Sequence, residues 1–158
     1  MSEEEINKLR LLWRQELKGD LESLSSLDFQ RKVWIENSIP GIWWDWAEAM
    51  CGYFDDLGMI YHEQTTRGGL DYHVKIGELT KAESKLLKPF NDLFDKYTRN
   101  TPTHPTTEEY EKILSDPEWI EITKLAAKIL KQIDFDKLPK QTKITHAEIT
   151  KRRPILKN

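Results

Sequence analysis

The chain has 158 residues, 38% hydrophobic and 32% charged, with a net charge of −3. That balance suits one domain with a real core and excludes a disordered chain. The single cysteine, Cys51, excludes an internal disulfide, and no apolar run approaches the roughly 20 residues that a helix needs to span a bilayer.

The first residues, MSEEEINK, are acidic and lack the basic-then-apolar order of a signal peptide, so the expected location is the cytoplasm. Residues 3–18 read as a helix with Ile6, Leu9, Trp13 and Leu17 on one face and Leu12 beside them. Glu3, Glu4 and Glu5 occupy its first turn, where the helix dipole favours negative charge, and Gly19-Asp20 is expected to end it. Ser25 and Asp28 then have the spacing of a capping box, opening a second helix to about Glu36 that buries Phe29, Val33 and Trp34.

The segment from Pro40 to Gly58, PGIWWDWAEAMCGYFDDLG, holds three of the six tryptophans. Pro40 and Gly41 suit a helix entry and Gly58 suits the left-handed residue past a helix end. Ile42, Trp46, Ala49, Met50, Tyr53, Phe54 and Leu57 keep helical spacing, and Trp43, Ala47 and Cys51 widen that apolar face. Cys51 therefore reads as a small buried hydrophobe.

Beyond Gly58, Met59-Ile60-Tyr61-His62 and Tyr72-His73-Val74-Lys75-Ile76 are rich in strand formers and flank Arg67-Gly68-Gly69. They read as a small β-hairpin near residues 59–76, or as an ordered loop with one short strand. Thr80 and Glu83 form a second capping box before a helix that buries Leu86, Leu87, Phe90, Leu93, Phe94 and Tyr97. Pro89 is expected to kink that helix or divide it after Leu87. The loop TRNTPTHPTT, residues 98–107, leads into a short helix carrying Tyr110, Ile113 and Leu114. Asp116-Pro117-Glu118 then signals the start of the last long helix, with Trp119, Ile122, Leu125, Ala126, Ile129, Leu130 and Ile133 inward. The expected fold is mainly α: a single-domain bundle of about six helices over residues 1–136. Residues 137–158 show no sustained helical face and read as an extended or partly disordered basic tail.

Charge is unevenly spread. The tail carries seven lysines and arginines against Glu148 alone, which leaves the rest of the chain at −9. An acidic body makes nucleic acid an unlikely partner and suits a basic protein surface. The tail itself has no aromatics among its lysines, so it gives little support to specific RNA binding and reads equally as a solvated terminus.

The motifs of common catalysts are missing. His62-Glu63 has no second histidine at helical spacing, and there is no GxSxG or phosphate loop. His62 and His73 would face each other across a hairpin, but no cysteine or carboxylate set completes a metal site, and the histidines read as surface or half-buried residues. No cofactor is expected. Asp45, Glu48, Asp55 and Asp56 form an acidic stripe on one side of the central helix. Three readings stay open for it: a solvated face, a docking surface for a basic partner with Trp44 as apolar anchor, or carboxylates paired for acid–base or metal chemistry.

Four segments in order carry a resemblance: Leu24-Ser25-Ser26-Leu27-Asp28-Phe29-Gln30-Arg31-Lys32-Val33-Trp34-Ile35, Tyr53-Phe54-Asp55-Asp56, Ile76-Gly77-Glu78-Leu79-Thr80-Lys81-Ala82-Glu83, and Asp116-Pro117-Glu118-Trp119-Ile120-Glu121-Ile122. Over about residues 22–131 this pattern resembles small bacterial immunity-like proteins of the contact-dependent inhibition or polymorphic toxin type. The resemblance implies a cytoplasmic protein that neutralises a cognate toxin by binding it, with no catalytic residue. Nuclease-type toxin domains carry basic clefts, which an acidic body complements. Trp44, Asp45, Glu48, Asp55 and Asp56 are then the expected contact. The competing expectations are a small hydrolase using the acidic stripe with His62 or His73, and a regulatory adaptor whose tail touches nucleic acid.

Overall fold

A computed structural model describes residues 2–140 of the chain. Its first helix, α1 (Glu3–Leu24), opens with a complete capping box between Ser2 and Glu5. It runs on through Gly19 and Asp20 instead of ending there. A mid-helix glycine costs about 1 kcal/mol, and burying Leu21 and Leu24 beside Trp13 and Leu17 outweighs that. Ser25 closes α1, and Ser26 takes over as the cap of α2 (Leu27–Arg31), accepting from the Phe29 amide at 3.1 Å. The cap thus lies one residue later than its spacing suggested. A π-helical segment, Lys32–Glu36, continues α2 and stops at Asn37, which is left-handed at φ 48°.

The central helix starts later than expected. Asp45, not Pro40, is the cap of α3 (Trp46–Met50), and a second π-helical segment, Cys51–Asp56, completes it. Helix α4 (Leu70–Lys75) stands where a strand was expected, so the hairpin does not form. A single bridge between His62 and Arg67 is all the β pairing among the described residues. Helix α5 (Lys81–Arg99) passes through Pro89 undivided. Both Pro89 and Lys85, whose carbonyl loses its amide partner, face solvent, where water can take up that carbonyl. Helices α6 (Thr107–Ser115) and α7 (Pro117–Gln132) are capped by Thr106, at the end of the expected loop, and by Asp116, the start read from the sequence. The fold is mainly helical, and no described helix is long and apolar enough to cross a membrane.

Helix α7 packs against α1, α5 and α6. Its Trp119 is fully buried, with Trp46, Tyr97 and Phe94 ring centroids at 5.1, 5.3 and 5.8 Å. The Trp119 indole donates to Gln30 Oε1 at 2.9 Å, and the buried Gln30 amide donates in turn to the Ser23 and Leu24 carbonyls. The polar edge of this indole is thereby satisfied, unlike the buried indole nitrogens of Trp34 and Trp46.

Two buried arginines of α1 fasten the end of the described chain. Arg14 donates to Glu83 at 2.7 Å and to the carbonyls of Glu78 and Asp134 at 2.8 and 2.7 Å. Arg10 donates to the carbonyls of Gly77 and Pro139 at 2.9 and 2.8 Å. These bonds seat residues 134–139 on α1, with Phe135 and Pro139 buried. The rest of the tail, residues 141–158, lies outside the described residues, as does His146.

Candidate functional site

The five residues expected to form one contact are divided between two surface depressions. Trp44, Asp45 and Glu48 lie at the start of α3, with Val33, Asn37, Ile42 and Trp43, around a cavity of about 250 Å³. Asp55 and Asp56 lie at the other end of the same helix and line a separate cavity of about 620 Å³. An unbroken α-helix would bring residues seven apart back to one face. The π-helical segment bonds i to i+5, which adds a residue per turn and shifts that register.

At the first cavity the chain approaches α3 without helical structure, so neighbouring side chains part. Trp44 turns inward and stacks on Trp34 at 5.3 Å, with Phe29 at 5.6 Å. Trp43 points out and is 92% exposed, with Ile42 beside it at 44%. Both were expected on the buried face. Asp45 is exposed but already has a structural task, since its Oδ1 accepts from the Glu48 amide at 2.8 Å as the cap of α3. Asp45 and Glu48 are an acid and an acid three residues on, the signature of a helix start. That signal was present in the sequence and would have placed Ile42, Trp43 and Trp44 ahead of the helix.

The second cavity is bordered by the 57–69 loop, with Tyr61, His62, Glu63, Arg67 and Tyr72 added to the two aspartates. The Gly69 amide donates to the Gly58 carbonyl and the His62 amide to the Arg67 carbonyl, both at 2.8 Å. Gly68 is left-handed at φ +87°, and a Cβ there would lie 2.1 Å from the Ile60 carbonyl oxygen. Only glycine fits that position. Tyr61, Arg67 and Tyr72 had no sequence signal as site residues, because Tyr61 and Tyr72 were read as strand and Arg67 as the turn between them.

The two histidines of this region differ. His62 is exposed, with Nε2 3.9 Å from Asp55 Oδ1. His73 is fully buried, contrary to the surface or half-buried expectation, and stacks on Trp13 at 4.4 Å. Its Nε2 lies 2.8 Å from the Gly58 carbonyl and its Nδ1 3.0 Å from Glu78 Oε1. A carbonyl only accepts, so Nε2 carries a proton, and a second proton lies between Nδ1 and the Glu78 carboxyl. His73 therefore braces the cavity floor and does not face His62 across a hairpin.

Cys51 is exposed, not buried. Desolvation first, then the charges of Asp55, Asp56 and Glu48, raise its thiol pKa and suppress the thiolate. Asp20 of α1 sits against Gly52, where a Cβ would meet its Oδ2 at 3.5 Å. Burial, reinforced by Glu16 and Asp56, pushes its carboxyl up to about 7. Among the described residues no group of three or more histidine, cysteine or acidic side chains is placed to hold a metal ion. The chain matches no protein-family model, no curated protein and no solved structure.

Proposed function

We propose that this chain is an immunity-type protein that binds and neutralises a bacterial toxin with a basic surface, such as a nuclease-type C-terminal domain. Binding is the whole of its activity: it covers the toxin's substrate surface and catalyses no step. The observation that carries this reading is Trp43, 92% exposed. Four other tryptophans are buried and Trp44 is half-buried, so Trp43 is the one indole left in solvent. An exposed indole beside Ile42 on the braced Trp44–Trp34 stack has the character of an interface anchor. Asp45 and Glu48 add negative charge at its edge. The −9 of the chain outside its tail favours rapid encounter with lysine- and arginine-rich surfaces.

Capture from the host with wild-type and Trp43→Ala proteins, joined to a growth-rescue assay against the captured partner, tests the proposal. The wild type should retain one stoichiometric partner with a basic toxin domain and rescue growth, and Trp43→Ala should lose both. A partner without a basic domain, or equal retention by both proteins, would refute it. A second reading, a small hydrolase using Asp55, Asp56 and His62, draws on the approach of His62 to Asp55 in the larger cavity. It requires turnover of a model ester or phosphodiester that Asp56→Asn abolishes.

A further inference from the structure

We infer that the 620 Å³ cavity at the end of the central helix is a receptor for one basic side chain, arginine foremost, of the bound protein. This rests on the toxin-binding reading but concerns a different surface from Trp43. The cavity has the size of a small-ligand site, ample for a long side chain and its flanking backbone. Asp55, Asp56 and Glu63 line it together with Arg67 and with His62, whose Nε2 lies 3.9 Å from Asp55 Oδ1. The π-helical segment ends at Asp56, so the negative end of the helix dipole lies at the same place. Tyr61, 55% exposed, and Tyr72 add aromatic surface on which a planar guanidinium can lie. The buried His73–Glu78 pair fixes the cavity floor, and the close approach of Gly68 to the Ile60 carbonyl sets where the loop passes over it. Neighbouring carboxylates and aromatic faces suit the flat, multiply donating head of arginine better than a compact hydrated cation.

The probe is N-acetyl-L-arginine methylamide, with the norleucine analogue as its uncharged control, titrated into the full-length protein by amide NMR. Saturable binding is expected, with shifts at Tyr61, Gly68 and Tyr72. The double variant Asp55→Asn, Asp56→Asn should weaken it at least about tenfold, and the norleucine analogue should produce no shifts. Equal binding of the norleucine analogue, or no shifts in the wild type, would overturn the inference. A rise of about tenfold in probe affinity when Lys151, Arg152 and Arg153 are all changed to Gln would also overturn it, making the chain's own tail the occupant. The probe needs no toxin. Arginine binding without partner capture would sink the proposed function and leave the cavity standing, and partner capture without arginine binding would do the reverse.

Discussion

Replacing Asp20 with Asn should stabilise the protein at pH 8 and leave its stability nearly unchanged at pH 4. The Asp20 carboxyl is raised from 3.8 to about 7 by burial against the central helix, with Glu16 and Asp56 adding like charge. The folded state therefore holds a proton that the unfolded chain has released. Below about pH 4 both states are protonated and Asp20 exacts no penalty; between about 4 and 7 stability falls by about 1.4 kcal/mol per pH unit; above 7 the loss levels off. The full shift corresponds to roughly 4 kcal/mol, and residual solvent contact reduces it to about 2–4 kcal/mol. Asn keeps the size of the protonated acid and has no charge to bury. Urea unfolding of both proteins at pH 4, 5, 6, 7 and 8 measures the difference directly. A difference that stays constant with pH, or no gain at pH 8, would refute the argument.

Trp43→Ala should change stability by less than about 0.5 kcal/mol, whereas Trp119→Ala should cost about 3–5 kcal/mol in the same unfolding assay. Comparable losses would mean that Trp43 is packed. Cys51 should react with iodoacetamide at pH 8 more slowly than a free thiol despite its exposure, and Asp55→Asn should accelerate it; an unchanged rate would remove Asp55 from the causes. Gly68→Ala should destabilise the 57–69 loop through its clash with the Ile60 carbonyl, seen as faster amide exchange at Tyr61 and His62. Exchange like that of the wild type would show that the loop can move aside.

What the sequence made legible was local. The caps at Thr80, Thr106 and Asp116 announce themselves through side chain to backbone bonds within three residues, and the structure contains each of them. The hairpin was a misreading of residues such as Val74 and Ile76, whose strand preference is weaker than the packing that makes 70–75 helical. His73 has one ring nitrogen on Gly58 and the other on Glu78, a tertiary demand that no local pattern carries. The site was half legible. Asp55 and Asp56 do line a cavity and Trp44 does abut the exposed patch, but the single stripe rested on an unbroken 3.6-residue period. The π-helical segment alters that period, and Gly52 is the only residue there that hints at close packing.

The Arg14 side chain sets a condition on when the protein becomes useful. Its guanidinium is buried in α1, yet two of its acceptors, the Asp134 and Phe135 carbonyls, lie 120 and 121 residues further along the chain. A buried arginine short of acceptors is costly, so the N-terminal helix cannot settle into its native place while those residues are still unmade. On the ribosome, α1 must wait unsealed for the segment that Arg14 holds. A chain cut short before residue 134 lacks both of those carbonyls and should leave the buried Arg14 guanidinium underbonded, so that α1 does not reach its native packing.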